Sequence, residues 1–149
     1  MLRLTKKSEY GIMALKHMVG QPGESVVSAK EISEYYNIPA ENLAKILQML
    51  ARKGVVKSCQ GARGGYVLAK DAESISLSDI IESIEGPLGL VECVSDSDCG
   101  CMQIENCNIS DPFRVIHRQF KIFLSKISLA DISRELDLQK EGAHLVNFN

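Results

Sequence analysis

Residues 28–69 constrain the fold of this chain more than any other stretch. Ser28-Ala29-Lys30-Glu31 matches a capping box, in which a Ser hydroxyl and a Glu carboxylate satisfy backbone donors at a helix start, and it predicts a short helix to about Tyr36. Asn37-Ile38-Pro39 breaks that helix tightly. In the next helix Leu43, Ile46, Leu47 and Leu50 follow the i, i+3, i+4, i+7 spacing of one buried face. Its other face offers Glu41, Asn42, Lys45, Gln48, Arg52 and Lys53, and Gly54 supplies the stop. Two helices joined by a tight turn, the second amphipathic with basic residues outward, predict a helix-turn-helix. Residues 55–59 and 66–69 then read as strands joined by Gln60-Gly61-Ala62-Arg63-Gly64-Gly65. The glycines permit a close backbone approach, and Arg63 at the tip suits a phosphate or minor-groove contact. Helix-turn-helix plus basic hairpin makes a winged helix, so the expected fold is mainly α with a small β-hairpin wing.

On either side of this unit the pattern is helical. Tyr10, Met13, Ala14, Leu15 and Met18 predict a helix over residues 5–19 with one buried face, ended by Gln21-Pro22-Gly23. Ser76-Leu77-Ser78-Asp79 opens another, with Leu77, Ile80, Ile81 and Ile84 inward and Gly86-Pro87 closing it. Residues 93–107, rich in Ser, Asp, Gly and Asn, form a loop holding Cys93, Cys99, Cys101 and Cys107, four of the chain's five cysteines. Ser110-Asp111-Pro112 is a helix start, with a capping side chain followed by Pro in the first turn. Phe113, Ile116, Phe120, Phe123, Leu124 and Ile127 then form a stripe long enough to pack a partner helix, predicting a long C-terminal dimerisation helix and a two-fold dimer. The expected organisation is a winged helix-turn-helix DNA-binding domain over 1–86, a cysteine-rich cluster-binding loop over 87–109, the dimerisation helix and following segment over 110–136, and a flexible tail over 137–149.

Charge points to the partner. Residues 1–70 carry 11 Lys or Arg against 5 Asp or Glu, and residues 71–149 carry 6 against 14, so only the first half has the balance to face a polyanion. The N-terminus lacks the apolar run of a secretory signal and no stretch is apolar enough to span a membrane, which predicts a cytoplasmic protein. There thiols stay reduced, so a cysteine cluster reads as a metal site or redox centre rather than a disulfide framework. Cys59, isolated on a wing strand, reads as a small apolar residue, and His17 and His117 as packing or surface residues within helices.

Leu2-Arg3-Leu4-Thr5 with Tyr10, the Arg52-Lys53-Gly54-Val55-Val56 turn, the Gly61-Ala62-Arg63-Gly64-Gly65-Tyr66 wing, Ser128-Leu129-Ala130-Asp131 and the cysteine loop together resemble the Rrf-type winged-helix transcription regulators, over about residues 1–135. That group includes the iron-sulfur assembly regulators of the Isc and Suf operons and the nitric-oxide-responsive repressor. The resemblance implies a homodimeric DNA-binding regulator with the long helix at the dimer interface and an iron-sulfur cluster, 2Fe-2S or 4Fe-4S, held by three loop cysteines. The family interval between the second and third cysteines matches Cys101 and Cys107, which implies Cys93, Cys101 and Cys107 as ligands with Cys99 as spare or substitute for Cys101. The His that serves the Isc-type regulator is replaced by Ser110. The carboxylate that serves the nitric-oxide-responsive type corresponds to Glu9, which would come from the other subunit. An exposed helix acid near Lys6 is the competing reading of Glu9.

Thiolates are the soft ligands that iron-sulfur clusters require. Structural zinc and a cluster-free thiol switch use the same residues, although no Cys-x-x-Cys pair is present. The resulting expectation is a DNA-binding transcriptional regulator, a repressor, sensing iron-sulfur status, iron, oxygen or nitric oxide. Arg3, Lys6, Lys45, Arg52, Lys53 and Arg63 would meet phosphates or a groove, and Asn42, Lys45 and Gln48 base edges of a roughly palindromic operator. The rival from another class, an iron-sulfur electron carrier, has no use for the basic wing, and no nucleotide or substrate motif marks an enzyme.

Overall fold

The structure, a computed structural model, describes residues 3–21, 25–61, 64–91, 93 and 100–134. Three helices come first, α1 (Lys6–Val19), α2 (Ala29–Tyr36) and α3 (Ala40–Arg52). An antiparallel hairpin of β1 (Val56–Cys59) and β2 (Gly65–Leu68) follows, then α4 (Leu77–Glu85), α5 (Ser110–Ser125) and the short α6 (Leu129–Ser133). Single 3-10 turns lie at Ala72–Ser74 and Ile104–Asn106. The architecture is the mainly helical winged fold that the sequence predicts.

The α2–turn–α3 unit forms as its periodicity requires. Leu43, Ile46, Leu47 and Leu50 are each at most 1% exposed, and burying a side chain of this kind stabilises by about 1.5–3 kcal/mol. At the start of α2 only half of the expected capping box forms. Ser28 Oγ accepts from the Glu31 amide at 3.1 Å, but the Glu31 carboxylate faces His17 Nε2 on α1 at 3.3 Å, a tertiary partner that draws it off its local one. Asn37 closes α2 at φ 53°, a left-handed conformation that Asn tolerates better than other side chains.

The wing is sewn to the body by a third backbone partner. Val56, Lys57, Ser58 and Cys59 pair with Leu68, Val67, Tyr66 and Gly65, and on the other edge of β2 Tyr66 exchanges two hydrogen bonds with Val27, at 3.0 and 2.8 Å. Gly65 is required at this crossing, because a Cβ there would stand 2.5 Å from the Val27 carbonyl oxygen. Gly11, in the middle of α1, has a similar role between helices: its missing Cβ would lie 2.4 Å from Ile84 Cδ1 on α4 and 3.3 Å from Ile46 Cγ2 on α3.

α4 and α6 start side by side. Ser76 and Ser128 form an isolated antiparallel bridge, with the Leu77 amide donating to the Ile127 carbonyl at 2.8 Å and the Leu129 amide to the Ile75 carbonyl at 2.7 Å. Each serine is the N-cap of a complete capping box, with Asp79 and Asp131 as the returning carboxylates. Between them runs α5, which starts at Ser110 without a side-chain cap. Ser110 Oγ, expected to cap the helix, instead donates back to the Cys107 carbonyl at 3.3 Å. Of the α5 side chains only Leu124 is buried, and Lys121 pairs with Glu82 of α4 at 2.7 Å.

The Ser128 hydroxyl and amide both donate to the Asp131 carboxylate and hold its pKa below the usual carboxylate value. A carboxyl with a depressed folded pKa contributes stability above its unfolded value, near 3.8, and loses it as pH falls through the folded value. Asp131→Asn should therefore unfold at lower urea concentration than the parent protein at pH 7, with the difference between the two midpoints shrinking progressively below about pH 4.

Candidate nucleic-acid interface and cysteine segment

Basic side chains converge where α1 begins and α3 turns outward. Asn42, Lys45 and Gln48 stand one turn apart along the exposed side of α3, opposite its buried leucines, and Arg52 and Lys53 are exposed where the helix ends. A crevice of about 140 Å³ between α1 and α3 is lined by Lys6, Lys7 and Tyr10 from one helix and Asn42, Lys45 and Met49 from the other. Lys6 and Lys7 open α1, where the helix dipole is already positive, so their charges oppose helix stability and add to the local positive potential. Arg3 precedes them and is exposed. Lys6 forms an ion pair with Glu9 at 2.5 Å; their hydrogen bond and mutual attraction raise the lysine pKa and keep it charged.

Of the residues expected to face a polyanion, Lys6, Asn42 and Lys45 thus line one crevice with Gln48 on the same side of α3, while Arg3 lines the groove beside α5. Arg63, expected at the wing tip, lies outside the described residues. Lys7 joins the crevice although periodicity gave it no role; the available signal was its adjacency to Lys6 at a helix start, where a base is electrostatically out of place. Lys57 is a further exposed base on the wing.

The cysteine segment leaves α4 through Gly86, whose φ of 89° turns the chain sharply. Cys93, Cys101 and Cys107 are half-buried free thiols, while Cys99 and the tail beyond 134 lie outside the described residues. Cys101 Sγ faces Gln103 Oε1 at 3.6 Å, and the 3-10 turn Ile104–Asn106 lies between Cys101 and Cys107. In kind the donors suit a soft metal or cluster. In arrangement they are not gathered: among the described residues no three Cys, His, Asp or Glu side chains are grouped to hold a metal ion. Glu9 sits on α1 with Lys6 as its ion-pair partner.

The two helical histidines differ. His17 is a packing residue, with Nδ1 near the Tyr36 hydroxyl at 3.3 Å and its ring against Tyr35 and Tyr36. His117, on α5, has a buried Nδ1 without a hydrogen-bond partner among the described residues. An apolar groove of about 460 Å³ separates the start of α1 from α5, with Leu77, Ile81, Phe120 and Leu124 in its walls and Glu85 at its polar side. Among the described residues no helix is long and apolar enough to cross a membrane.

A family model for Rrf2, described as an iron-dependent transcriptional regulator, matches residues 4–135. Among solved structures, CymR (YrzC), the global cysteine regulator of B. subtilis, is 29% identical, with 89% of this chain and 97% of that one covered and a TM-score of 0.69. IscR of T. potens is 26% identical over 96% of this chain and 93% of its own, at a TM-score of 0.67. CymR of Staphylococcus aureus in its oxidised form, at 23% identity and a TM-score of 0.69 over 89% of this chain and 97% of its own, shares the fold.

Proposed function

The chain belongs to the Rrf2 family of transcriptional regulators, which are not enzymes, and from that premise we propose that it is a dimeric repressor whose grip on DNA is set by an iron-sulfur cluster on its cysteine segment. The observation that carries the DNA half is the lysine-lined crevice between α1 and α3. A phosphate there would meet Lys6, Lys7 and Lys45 together, leaving Asn42 and Gln48 on the same helix for base edges. Arg3, Arg52, Lys53 and, on the wing, Arg63 extend the phosphate contacts.

Dimerisation is supported by the outer side of α5. Ile109, Ile116 and Phe123 recur every seven residues, as do Val115 and Ile122, and all five are 40–51% exposed. A row of this kind, beginning at the residue before the helix and lying away from the side that carries Leu124 and the half-buried Phe113, His117 and Phe120, is the seam of a paired helix. Two copies would present two recognition helices to half-sites about one helical turn apart, hence a roughly palindromic operator.

Cys93, Cys101 and Cys107 would hold the cluster, with Cys99 as the substitute middle ligand and Glu9 of the other subunit as a fourth. When bound, the cluster supplies a redox- and iron-dependent constraint on the segment. Its effect on DNA affinity equals the difference in its binding to the two arrangements of the dimer. Iron-sulfur status, iron, oxygen or nitric oxide are the signals such a centre reads. A second reading rests on the ungrouped free thiols and on likeness to the cysteine regulator: a cluster-free protein in which the thiols themselves are the sensor.

Three measurements test these statements. Lys45→Ala should lower the magnitude of the slope of log K against log salt by about 1 on duplex DNA, whereas salt-independent binding by the parent protein would refute the regulator reading. Phe123→Asp should move the protein from dimer to monomer in sedimentation at micromolar concentration, a weakening of tenfold or more, equivalent to about 1.4 kcal/mol. Anaerobic purification followed by iron and sulfide assay and visible absorption separates the sensors: a coloured protein carrying both elements supports the cluster, and a colourless protein with titratable thiols supports the second reading.

A further inference from the structure

The last turn of α4 carries two carboxylates in the wrong place for their own helix. Glu82 and Glu85 lie at its C-terminal end, where the helix dipole is negative and a base would be favoured, and that turn contains no base. Each is used by another element. Glu82 accepts from Lys121 Nζ of α5 at 2.7 Å and from the Leu88 amide of the outgoing chain at 3.3 Å. Glu85 reaches the start of α1, where its Oε1 accepts from the Thr5 hydroxyl and, at 3.0 Å, from the Ser8 hydroxyl.

The second contact has a specific consequence. Thr5 is the N-cap of α1, and its oxygen accepts from the Ser8 amide at 3.3 Å. A hydroxyl has one proton and free lone pairs; once the proton is committed to Glu85, the lone pairs are aimed at the helix. Ser8 is fully buried, so its hydroxyl has no water to turn to and depends on Glu85. The carboxylate also sits at the positive end of α1, where a negative charge is favourable. Glu85 therefore fixes the first turn of α1, and that turn carries Lys6 and Lys7.

We infer that Glu85 is a positioning residue for DNA binding: it holds the first turn of α1 so that Lys6 and Lys7 share one phosphate site with Lys45. Because Gly86 follows it directly and begins the cysteine segment, Glu85 is also the covalent and hydrogen-bonded link between that segment and the DNA-facing side. The inference rests on the DNA-binding reading above, and adds to it a residue that itself touches no nucleic acid.

The test compares Glu85→Ala with Glu85→Gln in the full chain, on a short mixed-sequence DNA duplex across a salt series. Both variants lose the charge, but only the glutamine keeps an oxygen that can accept from Thr5 and Ser8. Glu85→Ala should lower the magnitude of the salt slope by about 1 to 2, the equivalent of one or two phosphate contacts, which is roughly a fourfold to sixteenfold smaller loss of affinity over a fourfold rise in salt. Glu85→Gln should retain the parent slope, and adding Lys6→Ala and Lys7→Ala to Glu85→Ala should change it little further. A parent slope in Glu85→Ala, or identical slopes in the alanine and glutamine variants, overturns the inference. A parent protein that fails to bind the duplex overturns the DNA-binding reading instead. Circular dichroism separates unfolding from mispositioning, since a purely structural role lowers the melting temperature and leaves the slope of the folded protein unchanged. If Glu85→Ala does not fold, Ser8→Ala removes one donor of the same contact and should lower the slope by up to about 1; an unchanged slope there rejects the inference equally.

Discussion

α1 can lie against α3 and α4 at the observed distance only because residue 11 has no side chain. A methyl group at Gly11 would meet Ile84 Cδ1 at 2.4 Å and Ile46 Cγ2 at 3.3 Å, so the two helices would have to part or the isoleucines repack. Much else rests on that approach. It brings the end of α4 within reach of Thr5 and Ser8, sets the width of the crevice that Lys6 and Lys7 share with Lys45, and places Leu15, which is fully buried, at the centre of the core. One missing carbon thus links the packing of the body to the spacing of the basic groups that face outward.

The elements that could be read from the sequence were those whose cause is local. The leucine row of α3, the serine that begins α4 and the glycine-rich hairpin are written in neighbouring residues, and each formed where its spacing put it. Local signals fell short wherever a side chain found a different partner from the one its position suggested. Glu31 had the sequence position of a capping carboxylate, yet His17 on α1 took it; Ser110 stood where a cap belongs, yet the Cys107 carbonyl held its hydroxyl. The pairing of Val27 with Tyr66 was invisible for another reason, since a single bridged residue has no period. Periodicity also marked α5 as apolar along its length without dividing that apolar surface. The fold assigns Leu124 to the protein's own core and leaves Phe123 beside it 42% exposed.

Candidate site residues divided along similar lines. Bases on the outer side of α3 could be recognised because a helix with one buried face leaves only one place for them. Lys7 and Glu85 could not, because the crevice and the carboxylate contact exist only after α1, α3 and α4 have met. For the cysteines, the sequence supplied the residue type and its clustering within fifteen residues. Which thiols act together depends on how a segment without internal periodicity folds, and no spacing of residues encodes that.

The bridge between Ser76 and Ser128 gives the molecule a closed circuit. Between Ile75 and Leu129 the chain runs through α4, which packs into the body, then the cysteine segment and α5, and the two ends of this stretch are clasped together by backbone hydrogen bonds at 2.7 and 2.8 Å. Ile75 and Leu129, on either side of that clasp, are at most 2% exposed. The position of the end of α5 is therefore tied, through Ile127 and Leu129, to the start of α4 and to the core. The clasp thus joins the first residues of two helices that are about fifty residues apart in the chain into one edge of the core.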